Sequence, residues 1–145
     1  MLASNSCSKG VPKVDKTVFI TGATSCIVKA TAERFAEKGY QVIITGRRAD
    51  RLREFQAELA ENFDAEVLPI AFDVRDLNGI REVANHLEGK WAEIDLLINN
   101  AGKAKGLAPV HEGDIDHWEE MIDTNLKGLL YLTRTLSPGM VQRQH

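Results

Sequence analysis

Hydrophobic positions come along this chain in short unbroken runs separated by amphipathic stretches. Thr17 to Thr21 (TVFIT), Gln41 to Thr45 (QVIIT), Glu66 to Phe72 (EVLPIAF) and Ile94 to Asn99 (IDLLIN) are rich in β-branched and aromatic residues and have the length of buried strands. Pro69 within the third run predicts a strand with an outward edge, since proline cannot donate to a ladder. Between the runs the spacing turns helical: from Ile27, with Ala30, Thr31, Arg34 and Phe35 three or four apart; from Asp50 to about Asn62; and from about Asn78 to His86. After Gly102 a loop (KAKGLAPVHEG) leads to a long helical tract from about Asp114 to Met140. There Ile115, Trp118, Met121, Ile122, Leu126, Leu129, Leu130 and Leu136 predict one buried stripe, and Pro138 and Gly139 are expected to kink or end the helix. Strands alternating with helices predict an α/β fold. It is a Rossmann-type, doubly wound parallel sheet of about four strands with flanking helices and right-handed crossovers, closed by the long C-terminal helix.

Composition narrows the class. The chain has 145 residues, 43% of them apolar, which suits a single domain. Its net charge of −3 argues against nucleic acid and anionic membranes as partners. No apolar run approaches the roughly 18 residues of a membrane span. Residues 1–15 (MLASNSCSKGVPKVD) are expected to be a flexible leader before a nucleotide-binding domain over 16–145; they carry neither the apolar core of a secretory signal nor the arginines of a transit peptide. A cytoplasmic chain with free thiols is the expectation. Cys7 and Cys26 do not form a metal pair, and His86, His111, His117 and His145 lack ligand spacing, so no metal site is predicted.

The candidate chemistry lies at the strand ends, where open parallel sheets hold their ligands. Gly22 follows the first strand and opens a helix whose first amides lack internal partners, which is the arrangement that holds a phosphate. Alone, this glycine reads more readily as an ordinary strand-to-helix turn. Arg47 and Arg48 follow Thr45 and Gly46 at the end of the second strand, where a carboxylate would select NAD. Two guanidiniums suit a 2′-phosphate, hence NADP, although a solvated basic helix start is the plainer alternative. Asp73 after the third strand could accept from the adenine amine or serve as an N-cap or Asx-turn residue. Asn99, Asn100, Ala101 and Gly102 let backbone approach a ligand or form a plain turn. Asn125 falls on or beside the apolar stripe, where its amide needs partners; a satisfied buried asparagine is the competing view.

Taken together, Thr21 to Val28 (TGATSCIV) in place of a T-G-x-x-x-G-x-G loop, Asp73, the intact Asn99-Asn100-Ala101-Gly102 and Asp123-Thr124-Asn125 resemble the short-chain dehydrogenase/reductase family. ITGRR at 44–48, IDLLINNAG at 94–102 and MIDTNLKGLLY at 121–131 are similar to its NADP-dependent 3-hydroxy acid (serine-type) dehydrogenases. The resemblance runs from about Lys16 onward and covers about the N-terminal half of such a domain. It implies hydride transfer between NADP(H) and a small alcohol or carbonyl substrate. Thr21, Gly22, Ala23, Thr24, Ser25, Cys26 and Ile27 would hold the pyrophosphate, Arg47 and Arg48 the 2′-phosphate, Asp73 and Val74 the adenine, and Asn99, Asn100, Ala101 and Gly102 the ribose. Asn125 would match the catalytic asparagine, and the family's docking helix, here 114–140, implies a homo-oligomer.

Two departures from the family pattern stand out. Cys26 and Val28 occupy the second and third glycine positions, and both are expected to overfill the pyrophosphate contact; a reactive Cys26 thiol at a helix start is the lesser alternative. Neither Tyr40, followed by Ile44, nor Tyr131, followed by Thr135, begins a Tyr-x-x-x-Lys, so the family's proton donor is missing. A catalytically incompetent cofactor half is therefore expected. The alternatives are a non-catalytic nucleotide-binding or dimer-interaction fragment and a truncated product without function.

Overall fold

The computed structural model describes residues 12–23 and 26–144. Four strands, β1 (Thr17–Thr21), β2 (Gln41–Gly46), β3 (Val67–Ala71) and β4 (Ile94–Ile98), form one all-parallel sheet in the order β3-β2-β1-β4. The predicted runs and the observed strands agree to within a residue or so at each end. β3 and β4 are the two edges, so Pro69 sits where no outer neighbour needs its missing N–H. At the start of the β1–β4 ladder the register skips Asp95, and its carboxylate takes the Thr17 N–H at 2.7 Å instead.

Alternation along the strands feeds two cores. Val18, Ile20, Val42 and Ile44 point to one face, under Val28, Ala32 and Ala36 of α1 (Cys26–Glu37) and Leu52, Phe55 and Leu59 of α2 (Ala49–Phe63). Phe19, Ile43 and Ile94 point to the other, under Ile80 of α3 (Leu77–His86) and Leu132 and Leu136 of α5 (Gly128–Arg143). Asp76 caps α3 by accepting the Asn78 N–H.

The C-terminal tract differs from its expected form in three ways. It is α4 (Ile115–Ile122), then a π-helical segment (Asp123–Lys127), then α5. Pro138 lies inside α5 without ending it. The helix runs on to Arg143, whose guanidinium donates to the Ile94 carbonyl at 2.5 Å and ties its last turn to the sheet. The expected stripe is mostly outside: Ile115, Ile122, Leu126, Leu129 and Leu130 are exposed. The buried face of α5 runs through Gly128, Leu132 and Leu136, four residues apart, and of these Leu136 alone belongs to the expected stripe. Gly128 lies close against Val74 in the loop after β3, since a β-carbon there would stand 2.8 Å from Val74 Cγ2.

Val28 also departs from expectation. It is 1% exposed within the α1-side core.

Candidate functional site

The C-terminal ends of β1, β2, β3 and β4 surround a cavity of about 180 Å³. Its walls include Gly22, Arg47, Asp73, Val74, Asn100, Ala101 and Gly102, all expected from sequence. It opens where β1 lies between β2 and β4, the point at which strand order reverses.

The turn after β1 is fixed from two sides. Gly22 has φ +72°, and a β-carbon on it would stand 3.0 Å from Ala101 Cα, so backbone meets backbone across the cleft. Thr21, 1% exposed, sits directly behind. Its hydroxyl accepts from the N–H groups of Asn100 and Ala101, both at 2.9 Å, and so holds the Asn99 to Gly102 segment against β1. Asn99 donates from Nδ2 to Thr133 Oγ1 at 3.1 Å, and its Oδ1 is buried without a partner among the described residues. Ala23 is fully buried and donates its N–H to the Thr45 carbonyl.

Asp73 fills one of its anticipated roles, the Asx turn. It lines the cavity, and its Oδ1 accepts the Arg75 N–H at 3.0 Å in an Asx turn, while the N-cap belongs to Asp76. The Arg75 guanidinium also grips both carboxylate oxygens, at 3.0 and 2.7 Å. That hydrogen bonding, outweighing partial burial and aided by the nearby charge of Arg47, holds the Asp73 carboxyl below its usual range.

The Asn125 side chain is exposed rather than buried, yet fully used. Within the π-helical segment its Oδ1 accepts the Lys103 N–H and its Nδ2 donates to the Lys103 carbonyl, both at 2.8 Å. Lys103 and Lys105 both pair with Glu120, and Arg75 Nη1 lies 3.8 Å from the same carboxylate. Glu120 thereby straps the segment after Gly102 to α4. The hydrogen bonds from Lys103 and then Lys105 lower its pKa from an ordinary 4.5 to about 2.

A depressed carboxylate stabilises the fold above its unfolded pKa, and that contribution fades as pH falls through the folded value. The stability difference between the parent and Glu120→Gln is therefore expected to be full above pH 4.5 and to close as pH approaches about 2. Urea midpoints measured from pH 6 to pH 2 on both proteins check this; a gap that stays constant across the window contradicts the strap.

Several expected residues fall elsewhere. Arg48 takes the N-cap position of α2, makes no capping bond and does not line the cavity. Thr24 and Ser25 lie outside the described residues, as do the side chains of Cys26 and Ile27. Sequence reasoning missed Arg75 and Lys103 as wall residues and Glu120 as their partner. The available signal was a cation two residues after a strand-end aspartate and another directly after Gly102. Arg75 is committed to Asp73 and Lys103 to Glu120, which leaves Arg47 as the cavity-wall cation without an ion pair or hydrogen bond among the described residues. The cleft thus suits an anion approached closely by backbone.

Comparison with known proteins follows the same lines. A family model described as short chain dehydrogenase matches residues 16–145. The chain is 48% identical over 126 residues to the NADP-dependent 3-hydroxy acid dehydrogenase YdfG of Salmonella typhi, covering 87% of this chain and 49% of that protein. It is 42% identical over 128 residues to the serine 3-dehydrogenase of Rhizobium radiobacter, covering 88% and 50%. Among solved structures, the closed form of serine dehydrogenase complexed with NADP+ superposes with a TM-score of 0.83 at 44% identity, covering 89% of this chain and 50% of that one. The chain spans about half the length of the curated relatives it matches.

Proposed function

Since this chain belongs to the short-chain dehydrogenase/reductase family, we propose that it binds NADP(H) as the cofactor half of an oxidoreductase for a hydroxy acid or similar small alcohol or carbonyl compound. The observation that carries this reading is the strand-end cleft, where the Gly22 turn presses on Ala101 and Arg47 stands in the wall. Relatives named for NADP and 3-hydroxy acids support the choice of nucleotide and substrate class.

In this reading the Gly22 turn and the start of α1 hold the pyrophosphate by unpaired amides. Arg47 binds the 2′-phosphate, Asp73 and Val74 bound the adenine, and Asn100 to Gly102 follow the ribose. Bound NADP(H) supplies the hydride acceptor or donor. Asn125 fixes the backbone of Lys103 beside the cleft and leaves its own main chain, in a π-helical turn, as the candidate water holder. No Tyr-x-x-x-Lys is present in the 145 residues, and the acid–base factor of about 10² to 10⁴ is then absent. Binding without turnover is the expected behaviour, in the cytoplasm, where no long apolar helix among the described residues argues for a membrane.

Titrating the purified chain with NADPH and NADH by nucleotide fluorescence tests this. We expect NADPH to bind at least about tenfold tighter, as one charge-assisted phosphate contact implies, with no NADP+ reduction in the presence of a 3-hydroxy acid. Equal affinities, or no binding of either nucleotide, would overturn it. A second reading, an interaction fragment that pairs with a further copy, is favoured by the exposed Ile122, Leu126, Leu129 and Leu130 of the C-terminal tract; sedimentation of the same sample separates a dimer from a monomer.

A further inference from the structure

A cavity of about 350 Å³ lies between α3 and α5, lined by Leu77 and Arg81 of the first helix and by Tyr131, Arg134 and Thr135 of the second. It shares no lining residue with the strand-end cleft. Helical spacing builds both walls. Leu77 and Arg81 are four residues apart, and Tyr131 precedes Arg134 and Thr135 by three and four, so each helix turns one flank to the cavity. The walls are held by their buried neighbours: Ile80 of α3 and Leu132 and Leu136 of α5 share one core, and Tyr131 packs against it.

We propose that this cavity is a second ligand site, for a small organic phosphate monoester with an apolar body. The proposal goes beyond the cofactor reading and does not depend on it. Charge comes first. Arg81 and Arg134 face one cavity from opposite helices, no carboxylate among the described residues lines it, and neither guanidinium has an ion pair or hydrogen bond among those residues. No Asp or Glu stands three or four residues from either one, although the chain has 21 acidic residues against 18 basic. Two like charges brought together repel, and an anion between them removes that cost. A single carboxylate would balance one of them; a phosphate dianion balances both and has oxygens enough for two guanidinium forks. The hydroxyls add to this. Those of Tyr131 and Thr135 make no hydrogen bond among the described residues, whereas Thr124 in the same tract returns its hydroxyl to the Glu120 carbonyl four residues back. Both are thus free to donate to phosphate oxygens. Size and lining supply the rest: the volume falls in the range of about 300–1,000 Å³ usual for small-molecule sites, well above that of a bare ion, and Leu77 with the Tyr131 ring offers an apolar surface for the remainder of the ligand.

The test titrates the isotope-labelled 145-residue chain with phenyl phosphate and with inorganic phosphate, following backbone amides so that this cavity is resolved from the strand-end cleft. Phenyl phosphate is expected to shift the amides of 77–81 and 131–135 saturably and to bind there at least about tenfold tighter than inorganic phosphate. Arg81 and Arg134 are exposed, so Arg81→Gln and Arg134→Gln are expected to keep the fold by circular dichroism. Each is expected to weaken phenyl phosphate at this cavity by about 10- to 100-fold, and Tyr131→Phe by about two- to tenfold. NADPH affinity is expected to stay at the parent value in both glutamine variants. A parent without saturable shifts in these two segments overturns the proposal, as does equal affinity for the two probes or an affinity unchanged by both glutamine substitutions. Parallel loss of NADPH and phenyl phosphate also overturns it, because the arginines would then act on the fold. A parent that binds phenyl phosphate here but not NADPH supports this site and removes the cofactor reading alone.

Discussion

Replacing Thr21 by valine is expected to destabilise the chain by about 1 to 3 kcal/mol, because one hydroxyl accepts from two part-buried amides and each such bond contributes about 0.5–1.5 kcal/mol. Valine matches threonine in shape, so packing behind the cleft is preserved and only the acceptor is removed. The N–H groups of Asn100 and Ala101 would then face a methyl group at 2.9 Å, inside contact distance for carbon, and the Asn99 to Gly102 segment would lift from β1. Since that segment forms one wall of the cavity, NADPH affinity is expected to fall about tenfold or more alongside stability. Thr21→Ser restores the oxygen and should recover most of both. Urea unfolding of the three proteins checks the claim; a valine variant as stable as the parent would mean that the hydroxyl does not hold the cleft together.

The second large effect concerns Val28. A glycine at this position completes the family loop, and the sequence suggests that it would free the pyrophosphate contact. The burial of Val28 leads to a different expectation. Val28 is 1% exposed and packs with Val18, Ile20, Ala32, Val42 and Ile44. Val28→Gly removes a buried side chain, leaves a void and adds backbone freedom inside α1, together about 3 to 4 kcal/mol. For a domain whose total stability is of order 5–15 kcal/mol this is a large share. The variant is expected to melt well below the parent and to bind NADPH no better. A melting temperature at or above the parent's would show that valine overfills the helix–sheet contact.

The two cases also indicate what the sequence could and could not convey. Strand runs such as TVFIT and QVIIT are legible because a strand buried on both faces needs apolar residues at every position. The strand-end motifs are legible because glycine and short amides are required where backbone meets backbone. Which side of a helix is buried is a different matter. In the C-terminal tract apolar residues occur on more than one face, and only the packed sheet selects Gly128, Leu132 and Leu136 over Leu126, Leu129 and Leu130. Pro138 reads locally as a stop, yet Arg143 bound to the Ile94 carbonyl holds the helix beyond it. Charges are harder still. Arg75, Lys103, Lys105 and Glu120 are far apart in sequence and meet only through the fold. Arg47 and Arg48 look equivalent as neighbours, but Arg48 takes the N-cap of α2 and leaves the cavity to Arg47.

The account stands on one nucleotide cradle at the strand ends, and a heteronuclear NMR titration of the 145-residue chain with NADPH tests it most directly. Amide shifts are expected to cluster at Gly22 and Ala23, Gly46 and Arg47, Asp73 to Arg75, and Asn100 to Lys103, with the outer face of the C-terminal tract unmoved. Shifts centred on that outer face, or saturation with NADPH that leaves the Gly22 and Ala101 amides unchanged, would contradict it.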